Sequence, residues 1–538
     1  MNNNNLNKNE KILIGLSWPY ANSELHIGHL GSSLPADILA RFFRLNGKNV
    51  CFVSGSDCFG TPISIAAQKE NKDPNDIANF YHEKFVQIFK DLDFSFNIYT
   101  KTNTNHHINF AKSFHKELYN TQFITKINEK RLFCKSCNRF LPDRYVVGLC
   151  PNCSHPAKGD ACEKCGRILE PEELNDPKCG ICNTTPILKE TYQYYIKLSS
   201  LQEKLVKYFN NKKQSWTQNA INLTERYFIE GLKDRAITRN LNHGVPIPIE
   251  TKKDKVIYNW GENVLGYLSA CEEYCKNNNQ NFDDWFKTDS VRHIYIHAKD
   301  NIQFHSIIFP ALLLANPNQY HLPDNIFAYE FVTNEGQKIS KSKGTCLTAK
   351  ALLDKYQVDF LRFYFAKNIS DKKDLDFKEK DFIQTINGEL INNWGNLVNR
   401  TLSFVKSKFN GKIKKSEIDP IVQNTIKSTY NIVSNCLNKG KISNAVAEIL
   451  NLVNYSNKYF DSTTPWLVVK EDKYKCETLL YNYLSLIVNI AILFSPILTK
   501  SSKTILEWLK INDYSYNFFE LTDISVHNFY PLFKRIDT

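Results

Sequence analysis

The segment SWPYANSELHIGHLGS, Ser17 to Ser32, places His26 and His29 three positions apart around Gly28. Two histidines can meet an anion together if a backbone turn presents them on one side. The run before them, KILIGLSW, is short and rich in Ile and Leu, which predicts a buried strand. The stretch after them, HLGSSLPADILARFFRLNG, has apolar residues at helical spacing and stops on Gly47. The histidines therefore fall near a strand-to-helix junction, where free N–H groups and the helix dipole favour anions. Gly28 lets a flat or charged ligand approach the backbone. Alone, the pattern fits two surface histidines at a turn equally well, so the rest of the chain must decide.

A second stretch, NEGQKISKSKGT from Asn334 to Thr345, alternates Lys338 and Lys341 with Ser340 and Ser342 in a glycine-flanked loop. Ammonium groups there can neutralise a triphosphate and the charge that builds on it in a transition state. By itself such a loop is usually only solvated.

Between the two lie eight of the fifteen cysteines, in four C-x-x-C pairs: Cys134/Cys137, Cys150/Cys153, Cys162/Cys165 and Cys179/Cys182. In a reducing compartment these are zinc ligands rather than disulfides. Eight thiolates suffice for two closed four-thiolate sites, with no open position for water, so the expected role is structural. The inner pairs enclose only SHPAKGDA and should share one site, the outer pairs forming a second, nested one. Sequential pairing also has compatible spacing.

The elements that must position these groups follow three regimes. From Lys11 to about Phe114 short apolar runs alternate with helical patterns, the βαβ rhythm of a parallel sheet. From about Glu117 to Arg226 Cys-, Pro- and Gly-rich loops dominate, and from about Tyr227 to Ala366 the alternation resumes. A sheet interrupted by an insertion fits this pattern. Beyond about Asp371 the chain reads as helix after helix. At 538 residues several domains are expected, and 42% hydrophobic residues exclude large-scale disorder. The charge of +12 permits a nucleic-acid partner without proving one. LLYNYLSLIVNIAILFSPIL is broken by Tyr, Asn and Ser, which predicts a buried core helix rather than a membrane span. The leader MNNNNLNKNEK has no apolar core, so a cytoplasmic protein is expected.

Taken together, the HIGH stretch, the KISKS stretch and the cysteine pairs between them resemble a class I aminoacyl-tRNA synthetase, most closely the methionyl-tRNA synthetase family. HIGH is intact, and KISKS is similar to the family's KMSKS with Ile339 at the variable position. The resemblance implies an α/β fold: a Rossmann-type parallel-sheet catalytic domain split by a zinc-knuckle connective insertion, followed by an all-α anticodon-binding bundle. The implied divisions are 1–116 and 227–325 for the two catalytic halves, 117–226 for the insertion, 326–385 for the KMSKS loop and stem-contact region, and 386–538 for the bundle. The implied reaction joins methionine to the α-phosphate of ATP, with Mg2+, releases pyrophosphate, and passes the methionyl group to the 3′ end of tRNA(Met). His26, Gly28, His29 and Gly60 would meet ATP, and Lys338 and Lys341 would act in catalysis, Lys341 stabilising the departing pyrophosphate. Trp18, Tyr20, Trp260, Tyr267 and His305 would line the methionine pocket, with Asp57 holding the ammonium and Arg239 as its basic partner. Relatives with a single zinc match Cys150, Cys153, Cys162 and Cys165, which implies one or two structural zincs per chain and favours nesting. Asn396, Arg400 and Trp466 match positions that read the anticodon. No further domain follows the bundle, so a monomer is expected.

Two departures stand out. Asp57-Cys58-Phe59-Gly60 replaces the family's Asp-x-His-Gly, and ENVLGY stands where Asp-Ala-Pro-Ile-Gly-Tyr is common. Phe59 lacks the hydrogen bond a histidine could donate. Against rival readings, the insertion of about 110 residues leaves no room for the large editing insertion of the leucine, isoleucine and valine enzymes. Small HxGH nucleotidyltransferases lack the anticodon bundle. A paralogue that binds RNA without catalysis would not need both intact signatures.

Overall fold

Strand β1 (Lys11–Leu16) has no polar face because it runs at the centre of a five-stranded parallel sheet in the computed structural model. Ile12, Ile14 and Leu16 enter one hydrophobic core and Leu13 the other, as the strand's two-residue period requires. Residues 10–159, 162, 164–165, 167, 169–250, 255–339, 346–526 and 529–537 are described. The sheet runs Asn325–Tyr329, Val291–Ala298, β1, β2 (Asn49–Ser56), β3 (Ile98–Lys101), with every neighbouring pair parallel. β1 leads through helix α1 (Ile27–Leu45) to β2 on one side, while the much later Val291–Ala298 strand takes its other side. The strand order reverses there, and the crevice outside the carboxyl ends of β1 and its neighbours is where such sheets bind ligands.

The insertion leaves this sheet along two long antiparallel strands, Ile124–Cys134 and Ile187–Ile196, paired from Ile124↔Ile196 to Phe133↔Ile187. Beyond them lies a three-stranded sheet of Pro156–Lys158, Val146–Leu149 and Asn175–Cys179. After Tyr329 a small sheet of Val332–Asn334, Gln337–Lys338 and Leu375–Phe377 precedes the helical part. That part includes the helices Asn396–Phe409, Pro420–Asn438, Ile442–Thr463, Pro465–Glu471, Lys473–Phe494 and Thr499–Trp508. Lys473–Phe494 is long and apolar enough to cross a membrane, yet its apolar window is 83% buried among the other helices. It is the core of the bundle.

Candidate functional site

The HIGH stretch begins α1 with an imidazole capping box. His26 is the N-cap residue, and its Nδ1 accepts from the Gly28 N–H at 3.1 Å. Nδ1 of His29 accepts in return from the N–H of His26, also at 3.1 Å. The rings lie 4.0 Å apart. With both Nδ1 lone pairs engaged, each neutral ring carries its proton on Nε2. Two N–H donors therefore stand together at a helix N-terminus, a setting suited to phosphate oxygens. A side chain on Gly28 would meet the His26 ring at 2.9 Å and Ile339 Cδ1 at 3.4 Å. The KISKS flank is also tied to this turn by backbone: the Ile27 N–H donates to Leu347 O at 3.1 Å and the Ala349 N–H to Leu25 O at 2.9 Å. His26 and Thr348 form an antiparallel bridge between these bonds. Lys338 ends the Gln337–Lys338 strand, and Lys341 lies outside the described residues.

Asp57 follows β2 and is sewn to the segment after β1. Its N–H donates to Pro19 O at 2.9 Å, and its carbonyl accepts from the Ala21 N–H at 2.8 Å. Its carboxylate accepts from the Phe59 N–H at 3.1 Å and from Asn259 Nδ2 at 2.8 Å, and Asn259 Nδ2 also reaches the Tyr20 hydroxyl at 2.8 Å. Burial, and then the nearby Glu262 carboxyl, push Asp57 well above the usual carboxylate range. A cationic ligand would reverse that cost. Gly60, at φ +94°, turns the chain into the Thr61–Glu70 helix, and a Cβ there would lie 3.5 Å from Tyr20.

Of the other expected pocket residues, Trp18, Tyr267 and His305 form one connected aromatic group, while Trp260 packs in another. Trp18 presses so closely on Gly55 and Gly266 that a Cβ at either would fall 2.4 and 2.8 Å from its ring. It meets Tyr267 edge-on at 6.4 Å, and the Tyr267 hydroxyl is 2.8 Å from His305 Nε2. His305 Nδ1 lies 2.9 Å from Asn301 O. A carbonyl only accepts, so Nδ1 donates to Asn301 and Nε2 accepts from Tyr267 in the neutral ring. Burial keeps the ring neutral by pulling His305 down to about 4. Trp260 packs between Tyr258 at 5.0 Å and Phe304 at 4.3 Å.

Arg239 departs from expectation. Its guanidinium stacks on Tyr258 at 3.8 Å and pairs with Asp143 of the insertion at 3.4 Å, not with Asp57. Asp57 instead takes its hydrogen bonds from Phe59 and Asn259, which sit closer in the fold. The sequence reading also missed a buried trio. Glu262 Oε2 is 2.7 Å from His107 Nε2, whose Nδ1 is 2.8 Å from Ser269 Oγ. Burial pushes the Glu262 carboxyl well up and pulls His107 down to about 3, so the surroundings disfavour charge on either partner. At the Phe59 departure, the His243 ring packs against Phe59 at 5.0 Å and its Nε2 donates to Cys58 O at 3.0 Å. None of these partners is near in sequence, so no local spacing signals them.

The eight cysteines gather into two groups, Cys134, Cys137, Cys179, Cys182 and Cys150, Cys153, Cys162, Cys165, each with all sulfurs within 4.8 Å of one another. The pairing is nested and the sequential alternative is excluded. Sγ separations of 3.4 and 3.9 Å in the outer group, and 3.7 and 3.5 Å in the inner, bracket the edge of about 3.8 Å for a tetrahedron with Zn–S of about 2.3 Å. The donor sets fit zinc.

In the bundle, Arg400 pairs with Asp461 at 3.1 Å and Asn457 at 2.7 Å and stacks on Phe460 at 4.1 Å. Phe460 is 6.0 Å from Trp466, a residue 43% exposed on the short Pro465–Glu471 helix. Asn396 is exposed one helical turn before Arg400.

Comparison with known proteins gives the same picture. Residues 12–402 match the family described as tRNA synthetases class I (M), and residues 412–525 match the anticodon binding domain of methionyl tRNA ligase. The chain is 41% identical to a methionine–tRNA ligase of Alkaliphilus oremlandii over 98% of its length and 97% of that protein. It is 40% identical, with the same coverage, to a methionine–tRNA ligase of Bacillus cereus. Its fold is similar to that of Mycobacterium tuberculosis methionyl-tRNA synthetase solved with methionyl-adenylate, with a TM-score of 0.80 at 22% identity, covering 98% and 100% of the two chains.

Proposed function

We infer the roles of individual residues from one premise: the chain belongs to the class I tRNA synthetases of the methionyl type. It is a methionine–tRNA ligase, which activates methionine with ATP to methionyl-adenylate, releases pyrophosphate and transfers the methionyl group to tRNA.

ATP, entering with Mg2+, places its phosphates over the start of α1. There the Nε2 protons of His26 and His29 stabilise the charge that grows on the α-phosphate as the methionine carboxylate attacks. The reaction is an in-line displacement at phosphorus, so positioning and charge outweigh proton transfer. Lys338 and Lys341 belong to the loop whose far end, Leu347–Thr348, is bonded to the HIGH turn, and Lys341 stabilises the departing pyrophosphate. Gly28 and Gly60 leave room for the nucleotide. Asp57 receives the ammonium, which accounts for a carboxylate buried here with no cationic side chain paired to it among the described residues. Trp18, Tyr20, Trp260, Tyr267 and His305 enclose the thioether in a polarizable wall. Arg239, held by Asp143, adds positive charge at the rim of this pocket. Zinc in the two four-thiolate groups would hold the insertion's knuckles in shape, with no open ligand position for chemistry. Asn396, Arg400 and Trp466 read the anticodon of tRNA(Met), at the opposite end of the chain from the sheet. The working form is a cytoplasmic monomer.

The observation that supports this assignment is the pair of backbone bonds joining Leu25 and Ile27 to Ala349 and Leu347, because Leu347–Ala349 follow closely on the KISKS stretch in sequence. ATP–pyrophosphate exchange with each of the twenty amino acids tests it, and methionine alone should drive strong exchange. Homocysteine should compete weakly, since one missing methyl is worth about 1–3 kcal/mol in an apolar pocket. Comparable exchange with cysteine or leucine would overturn the pocket assignment.

A further inference from the structure

Asp57 is fixed on its main chain by Pro19 and Ala21, but main-chain bonds do not set the plane of a carboxylate, whose terminal torsion is broad. Two donors set it. The Phe59 N–H holds Oδ1 from within the same turn. Asn259 Nδ2 holds Oδ2 at 2.8 Å, and with its other hydrogen holds the Tyr20 hydroxyl at 2.8 Å. Nδ2 faces both oxygens, the arrangement required once Asp57 is ionised to receive an ammonium, because an ionised carboxylate only accepts. Asn259 begins the short Asn259–Glu262 helix, far along the chain from the β1 and β2 ends that carry Tyr20 and Asp57. It therefore clamps the two halves of the parallel-sheet domain to each other at the amino-acid pocket. Asn259 is buried, and among the described residues its Oδ1 has no hydrogen-bond partner. A buried acceptor without a protein partner calls for a donor from elsewhere, and an ammonium has three.

We propose that Asn259 is a positioning residue for amino-acid recognition: it aims the Asp57 carboxylate, keeps the Tyr20 ring beside it, and offers Oδ1 as a further acceptor for the substrate ammonium. The proposal rests on the reading of Asp57 as the ammonium's counter-charge. Asn259→Ala removes the clamp and the acceptor. Asn259→Asp keeps the shape but sets a carboxylate against Asp57. Two such groups share one proton when the pH falls, and the protonated one can again donate.

Steady-state exchange kinetics over pH 6–9 test this. Asn259→Ala should raise KM for methionine about ten- to hundred-fold, as loss of a hydrogen bond to a charged group predicts, with KM for ATP essentially unchanged. Asn259→Asp should be impaired at least as much at high pH and recover toward the wild-type KM for methionine as pH is lowered, a recovery that wild type and Asn259→Ala lack. A merely structural asparagine would raise both KM values together and show no acid rescue, and either result overturns the proposal. Asp57→Asn separates this from the underlying reading. If it leaves KM for methionine unchanged, the Asp57 assignment fails; if it raises KM while the Asn259 variants do not, only the role of Asn259 fails.

Discussion

Arg362 and Asp37 form an ion pair of 2.7 Å in which neither side chain is exposed. Asp37 lies on α1, the helix that His26 caps. Arg362 also donates to Leu92 O at 3.0 Å, Pro496 O at 2.9 Å and Ile497 O at 2.8 Å, the last two in the turn between the Lys473–Phe494 and Thr499–Trp508 helices. One guanidinium thus joins helix α1 to the bundle. Arg362→Met should destabilise the protein by about 3–5 kcal/mol, because it leaves a buried carboxylate with an incomplete partner set. Urea unfolding of the two proteins measures this, and a loss below about 1 kcal/mol would show that the bundle packs without the pair.

The same pair has a pH signature. Burial raises Asp37, but Arg362, Arg41 and Ser95 together hold it below its ordinary value of 3.8. A carboxyl depressed by folding contributes stability that is present above the unfolded pKa and lost as pH falls through the folded one. Without Arg362, burial in the apolar interior is opposed only by Arg41 and Ser95, and the folded pKa rises. Acid unfolding of Arg362→Met, followed by circular dichroism, should therefore begin at a higher pH than in wild type.

Two zincs per chain are expected, each bound without the other. Cys150→Ser should remove the inner metal and Cys134→Ser the outer one, each leaving one zinc by elemental analysis. Because site formation is coupled to folding, both should lower the stability of the insertion. Wild-type protein with no zinc and full activity would contradict this, and one zinc in wild type would leave a single group as a metal site.

How far such features can be read beforehand depends on where their partners lie. His26, Gly28 and His29 are neighbours in sequence, and the run before them fixes the strand and the run after them the helix, so the turn between was legible. The C-x-x-C pairs announced metal ligation by local spacing, but which pairs share a site depends on the ribbon Ile124–Cys134/Ile187–Ile196 that brings Cys134 near Cys179. Asn259, Glu262 and His107 were not legible at all. Each is an ordinary polar residue whose meaning comes from a partner more than a hundred positions away. Arg239 illustrates the converse: its type and family position were informative, whereas its choice of Asp143 over Asp57 is set by how the insertion folds back on the sheet.

Tyr267 and His305 predict a separable effect on methionine. Tyr267→Phe leaves His305 Nε2 buried without its donor, a cost of about 1–3 kcal/mol. KM for methionine should rise roughly five- to hundred-fold by that measure while KM for ATP stays put. Burial holds His305 near 4, so wild-type kcat/KM for methionine should show no inflection from this ring between pH 6 and 9. Equal losses in both KM values would mark Tyr267 as a general core residue.

The last test separates the two ends of the molecule. Trp466 is 43% exposed, and the Arg400–Phe460 stack beside it supports its ring from one side. An exposed, buttressed indole suits stacking on a splayed base, worth about 1–3 kcal/mol per base. Trp466→Ala should therefore lower kcat/KM for tRNA roughly 5- to 150-fold. Methionine-dependent exchange, which the proposed function assigns to the start of α1, should be nearly untouched. A residue this exposed contributes little to the core, so the thermal midpoint should also hold. Lys341→Ala should do the opposite, crippling exchange while tRNA still binds. The deciding quantity is the ratio of aminoacylation to exchange in the Trp466 variant. If both activities and the thermal midpoint fall together, the indole serves the fold of the bundle, and the anticodon assignment must be given up.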